Sequence, residues 1–454
     1  MAPKSLSEKL AARFSSLRYN SISPDSRHAV KRLLLDFCGV AAGGSQTESG
    51  KLARRFASDQ GGKPQSRLIG DSARVPMGNA AFANAISSHS IELDDIDVLA
   101  LFHFSPPVYG AGLAVAEGVG ANGKQLIAAL AAGCEMMERA SKAANPALRN
   151  RGFHTTPTCG VFGATVASAK LLQLSTDKLV SALGLAGAQS AGLMEMYGPS
   201  MQKRFNPGPA ARSGVTSALL AQLGFTGTAN IFDGERGFLK AYTDEPHPQA
   251  LDAAKDSDYP LEIEFKPYSC ARPIHNAIDC ALDIRSQPGF DIAKVKAIDI
   301  VRHPDWAHYH QNRTPATYHE AQVSLPFSFA VALIEGKALL AQYTERSIRN
   351  PKIRRLSSLA QFMPDPKLPR GVSCRITVTL DNGTSFVSQV DYPKGSIQNP
   401  MSDDELYAKF ESLAAPVLGQ RRVRTLADAV MSVEKMQDVS ELMKLTRAGS
   451  GRNG

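Results

Sequence analysis

Three stretches of this chain, Leu126–Gly133 (LIAALAAG), Val161–Lys170 (VFGATVASAK) and Leu183–Gly192 (LGLAGAQSAG), are dominated by alanine and glycine. Small residues at helical spacing let helix backbones approach closely. In a bilayer that pattern would mean helix association. Here polar residues break each run, and no segment reaches the roughly 18 uninterrupted apolar residues of a membrane span. In water the pattern specifies a dense helical core.

The surrounding sequence agrees from Leu6 to about Tyr242. Ser23-Pro24-Asp25 opens a helix, with serine as cap and proline at the first helical position. Its apolar positions Val30, Leu33, Leu34, Phe37 and Cys38 follow the helical period, and Gly43-Gly44 closes it. Further helices are expected over Pro76–Ile86, Pro107–Val119, Lys124–Ala144, Cys159–Leu172, Asp177–Ser190 and Pro209–Leu223.

The character changes near Tyr259. Strand-type alternation marks Val295–Val301, after a helix from Pro273 to Ile284. Cys374–Val390 is a hairpin in which Asn382-Gly383 supplies a two-residue primed turn. One helix of about two dozen residues, His319 to Tyr343, is expected between these strands. Ser402-Asp403-Asp404-Glu405 is a capping box, after which helical pattern returns. The fold class expected is therefore mainly α: a large all-α domain from residues 1–266 plus 399–454, with a smaller α+β domain inserted at 267–398.

Composition excludes several classes. Apolar content of 43% and charged content of 21% are globular values. The net charge of +8 is dispersed, apart from Ser347–Leu356 and Gln420–Arg424, and neither run is interleaved with aromatics. Nucleic acid is not the expected partner, whereas an anionic small molecule is. The six scattered cysteines lack C-x-x-C spacing, and the N-terminus lacks an apolar signal region. A cytoplasmic location with reduced cysteines is expected.

Chemistry concentrates between Ala85 and Pro107, where Glu92, Asp94, Asp95 and Asp97 fall between His89 and His103. Acids are rarely buried unless paired, so this is either a solvated loop or the wall of a site whose charges tune one another. No metal motif, nucleophile elbow, P-loop or dinucleotide fingerprint is present. His303, His308 and His310 cluster around Trp306 without a ligand pattern and read as surface or packing residues. Three polar segments lie at helix starts: Gly152–Pro157 with His154, Met201–Gly208 with Lys203, and Phe265–Arg272 with Lys266. Cations could hold carboxylates there, and a histidine or glutamate could move a proton.

The motifs HSIELDD, GFHTTPTCGVFGATVASAKLL, MQKRFNPGPAARSGVTSALLAQLGFTG, GERGF and FKPYSCARPIHNAID resemble successive motifs of the MmgE/PrpD family. VDYPKGSIQNPMSDDELYAKF resembles that family's C-terminal part. The resemblance implies catalysis without a cofactor between two domains, and a homodimer. It also implies one of three chemistries: 2-methylcitrate dehydration, cis-aconitate decarboxylation or iminodisuccinate epimerisation. Carried over by position, Glu92, Asp94 and Asp95 match the acidic motif, with Glu92 where many members have aspartate. His103, His154, Lys203 and Lys266 match pocket positions. Ile96, Phe104 and Asn206 depart from the usual threonine, His-Pro and histidine.

The resemblance implies that Lys203 and Lys266 bind substrate carboxylates, with Arg272, Asp94 and Asp95 completing the site. His103 and His154 are candidates for proton transfer, and Glu92 orients one of them or acts as base. The sequence does not order these roles. Dehydration of a hydroxylated di- or tricarboxylate is the first expectation, because elimination is the family's commonest chemistry. Epimerisation or decarboxylation is the alternative within the family, and a non-catalytic metabolite binder is the rival from another class.

Overall fold

The computed structural model describes residues 4–97, 102–196, 200–252, 260–371 and 373–449. The Ala/Gly-rich helices Gly123–Ala144, Thr155–Leu171 and Pro207–Gln222 lie side by side, as do Met77–His89 and Ser105–Val119. Gly133 and Gly163 meet where two of them cross: a Cβ on Gly133 would sit 2.8 Å from the Gly163 carbonyl oxygen. At that crossing the backbones touch, so only glycine fits. The Pro24–Gly44 helix begins as expected, with the Ser23 side chain accepting from the Ser26 N–H, and it packs against Asp403–Leu418.

One hydrophobic cluster joins residues between Leu10 and Phe265 to residues between Met401 and Met443. A second gathers residues between Cys270 and Phe386 around a four-stranded sheet. Two short strands, β1 (Ser66–Arg67) and β2 (Arg74–Val75), precede it in the chain. The sheet comprises β3 (Val295–Arg302), β4 (Ala360–Pro364), β5 (Cys374–Leu380) and β6 (Ser385–Val390), in the order β4-β3-β5-β6. β3 runs parallel to β4 and antiparallel to β5, and β5 pairs antiparallel with β6. Cys374, Ile376, Val378 and Leu380 alternate inward. The helices His275–Ser286 and Leu325–Glu335 pack together in this second cluster.

The expected fold class needs correction. The chain is mixed helix and sheet, and its large helical part is not all-α, because β1 and β2 pair antiparallel within it. The cause is burial of a connection: Ser66, Leu68 and Ile69 are fully enclosed, so their backbone groups need partners. The ladder supplies some, and the Asn84 side chain supplies others by accepting from the Ile69 N–H and donating to the Arg67 carbonyl.

Two local expectations also change. The long helix at 319–343 is broken into Tyr318–Gln322 and Leu325–Glu335, because Ser324 caps a new start with Pro326 in its first turn. In the hairpin only Gly383 takes a positive φ (86°), and the Gly383 N–H donates to the Leu380 carbonyl. That is a longer loop with one left-handed glycine rather than a two-residue primed turn.

Candidate active site

The Met77–His89 helix ends on His89, and the chain turns through Glu92 at a φ of 55°. A left-handed non-glycine residue costs about 1 kcal/mol, so surrounding contacts must hold it. The acidic cluster is no solvated loop: Glu92, Asp94, Asp95 and Asp97 are each at most 2% exposed. Asp95 accepts from the N–H groups of Phe104 (2.7 Å) and Ser105 (3.0 Å), and so caps the Ser105–Val119 helix. Asp94 faces the Nδ1 atoms of His89 (2.6 Å) and His103 (3.2 Å). Lys409 anchors the loop from the C-terminal side, donating to the Leu93 carbonyl at 2.6 Å and pairing with Asp36 at 2.5 Å.

Three cations converge on Glu92. Lys203 and Arg204, from the single turn Gln202–Phe205, both pair with Oε1, and Lys266 reaches Oε2 at 3.2 Å. Lys266 also lies 3.9 Å from Asp94 Oδ1. Arg204 donates to Gln322 Oε1 at 3.0 Å, and Gln322 in turn donates to the carbonyls of Ile91 and Ser269. Burial raises the Glu92 carboxyl, but Lys203, Lys266 and Arg204 outweigh it and hold it well below the usual carboxylate range. Glu92 is therefore a counter-ion and a poor base. Lys203 is lowered to about 8 by burial, against the pull of Glu92.

The histidines are held in opposite tautomers. His103 Nδ1 faces the Asp95 carbonyl and the Asp94 carboxylate, which only accept, so Nδ1 carries the hydrogen and Nε2 the lone pair. The Asn206 amide nitrogen lies 3.0 Å from His154 Nδ1 and 3.2 Å from Met196 Sδ. A donor there makes His154 Nδ1 the acceptor and leaves Nε2–H free to donate. Burial draws His103 down to about 3 despite Asp94. It also holds His154 well below the ordinary histidine value, with His89, His103, Lys203 and Arg149 adding repulsion. Both rings are neutral at physiological pH.

Glu92, His103, His154, Lys203, Lys266 and Arg272 line one cavity of about 960 Å³ between the two hydrophobic clusters. The other two expected site residues, Asp94 and Asp95, lie behind its wall and act on it through His103 and the backbone. Arg272 lines the cavity but is committed to Glu264 (2.8 Å) and the Lys394 carbonyl (3.1 Å). Ile96 and Glu264 exchange backbone hydrogen bonds, which ties the acidic loop to the segment carrying Lys266. Phe104 packs edge-on against Phe102 at 4.6 Å.

Sequence reasoning missed Arg204, Gln322 and Arg149 as site residues. Arg204 carried a signal, since an arginine beside a candidate lysine at a buried helix start needs an acid nearby. His89, named only as a flank, is the second imidazole on Asp94. Among the described residues, donor atoms of His89, Asp94 and His103 lie within 4.8 Å of one another and could in principle hold a metal. The hydrogen bonds to Asp94 account for that closeness, and the Lys266 ammonium beside Asp94 opposes a cation there.

Residues 8–251 match the MmgE/PrpD N-terminal domain and residues 268–435 the MmgE/PrpD C-terminal domain. The chain belongs to the MmgE/PrpD family. It is 29% identical over 463 residues to the cis-aconitate decarboxylase-like protein oryM of Aspergillus oryzae, covering 95% of each chain. It is 28% identical over 469 residues to human cis-aconitate decarboxylase, covering 99% of this chain and 96% of that one. Against cis-aconitate decarboxylase of Aspergillus terreus the identity is 25% over 462 residues, covering 95% and 94%. Among the described residues, no helix is long and apolar enough to cross a membrane, and all six cysteines are buried and unpaired.

Proposed function

We propose that this family member is a lyase of unsaturated or hydroxylated di- or tricarboxylates, and that its reaction is decarboxylation through a carbanion beside a retained carboxylate. The observation that carries the reading is the meeting of Lys203 and Lys266 with His103 and His154 at one cavity, with Arg204 behind them on the shared Glu92 carboxylate. The names of the full-length relatives support the choice of decarboxylation. In this scheme the C–CO2 bond breaks and its electron pair spreads onto the retained carboxylate. Preorganised cations in a water-poor site stabilise that charge. Lys203, protonated but with its pKa drawn toward neutrality, gives a proton to the carbanion carbon.

A second reading, dehydration, is favoured by the opposite tautomers. His103 Nε2 would take the α-proton while His154 Nε2–H donates to the departing hydroxyl. The two are separated by incubation with unsaturated and hydroxylated dicarboxylates (citraconate, citramalate) alongside cis-aconitate, citrate and 2-methylcitrate in deuterated water, followed by NMR. Release of CO2 with deuterium at the product carbon is the expected outcome. Water loss from a hydroxy acid without CO2 selects dehydration. Deuterium exchange at the α-carbon alone would instead identify an epimerase-like enzyme. Neither turnover nor exchange with any of these acids would count against a lyase.

A further inference from the structure

Glu92 supplies the most informative contact in the cavity, because its carboxylate already sits where a substrate carboxylate would be expected. It is 1% exposed and bound by three cations, and the backbone holds it there in a left-handed conformation. Lys203, Arg204 and Lys266 face Glu92 and Asp94, which leaves the inner cluster one positive charge in excess. Arg272 is neutralised by Glu264, and Asp305 by Arg370. Arg149, also on the cavity wall and close enough to act on His154, has no acidic or hydrogen-bonding side-chain partner among the described residues.

We propose that Glu92 is a tethered carboxylate filling one acid subsite of the cavity, so that the enzyme selects a dicarboxylate over a tricarboxylate. One substrate carboxylate goes to the Lys203/Lys266 cluster and the other to Arg149. The inference rests on the polyacid reading above and narrows it. Two uncompensated positive charges match a dianion. A third carboxylate would have to displace Glu92 or stay buried without a partner, and an unpaired buried charge is strongly disfavoured. Arg149, with its planar donors, is the specificity-determining residue at the outer end.

Glutarate and tricarballylate share a five-carbon chain and differ by one carboxylate, which makes them a matched pair of unreactive probes. Binding can be followed by calorimetry and by the fluorescence of Trp306, the single tryptophan, which lines the cavity. Wild-type protein is expected to bind glutarate at least tenfold more tightly than tricarballylate. Glu92→Gln should raise tricarballylate affinity at least tenfold and abolish the preference, and Arg149→Met should weaken glutarate at least tenfold at unchanged thermal midpoint. Equal or tighter binding of tricarballylate by wild type overturns the proposal, as does a preference unaltered by Glu92→Gln or glutarate binding indifferent to Arg149→Met. Should Glu92→Gln fail to fold, Glu92→Asp retracts the charge by one methylene and must raise tricarballylate affinity severalfold, and no rise overturns it. If neither acid binds wild type, the polyacid reading falls as well. If both bind and the ratio ignores Glu92, only the tethered-carboxylate inference falls.

Discussion

The inner and outer walls of the cavity are held by different means. On the inner wall Glu92 and Lys266, and Arg204 behind them, are at most 3% exposed, and each has more than one polar partner. On the outer wall Tyr309 is 54% exposed, and Trp306 and Tyr309 meet mainly through their rings, 5.7 Å apart. Charge buried without a partner is costly, so the inner wall had to be cross-braced, whereas water can satisfy the outer one. Precision is concentrated where charge must be stabilised, and the entrance is left adaptable.

The largest test removes an inner cation. Lys266→Met should lower kcat/KM by about 10²–10³-fold, the scale for losing one preorganised charge-stabilising donor. It should also destabilise the fold by about 3 kcal/mol, because Glu92 and Asp94 lose a counter-ion. Urea unfolding beside steady-state kinetics reads both, and an unaffected rate would erase the contrast between the walls. Under the dehydration reading, in which His103 Nε2 takes the α-proton, His103→Asn should cost about 10²-fold in kcat, the lower range for a proton-transfer residue. A loss confined to KM would reassign His103 to binding.

A pH profile sharpens the inner wall further. Lys203 is charged below about 8 and neutral above it, so kcat/KM should fall on a basic limb near pH 8. The loss should approach about tenfold per pH unit. Lys203→Arg, which stays charged, should move that limb upward even if the rate is lower. A limb that ignores this substitution would belong to another group.

A smaller effect is expected from a residue behind the wall. Gly395 has a φ of 88° and receives the Phe265 N–H at 3.0 Å, and a Cβ there would run into the Phe265 carbonyl oxygen. Gly395→Ala should therefore shift Lys266, lowering kcat/KM severalfold and stability by about 1–3 kcal/mol. Activity and thermal midpoint at wild-type values would show that the turn does not position the lysine. Tyr309→Ala, on the outer wall, should stay within about threefold in kcat/KM, since few contacts depend on it. A hundredfold loss would show that both walls are equally committed.

Local signals were the legible part of the chain. Ser23-Pro24, the Ser402 capping box and the alternation of Cys374–Leu380 each lie in one short window, and the structure follows them. The break at Ser324-Leu325-Pro326 was also locally encoded, but the apolar period running through it masked the cap. The strands β1 and β2 were harder to read, because two residues each carry no period and form only where burial demands partners. At the site, residue types could suggest acids, histidines and lysines of interest. They could not tell Asp95, which caps a helix, from Glu92, which faces the cavity.

The amino-acid order alone determined the family, the Ala/Gly helix packing and the set of ionisable groups available for chemistry, because these are properties of short segments and their succession. Only tertiary structure decided what each group does. Glu92 and Lys266 lie 174 positions apart in the chain, and bringing them within 3.2 Å in a dry interior is what turns a glutamate from a base into a counter-ion. Proton affinity depends on the charges and water around a group, and the fold alone sets both.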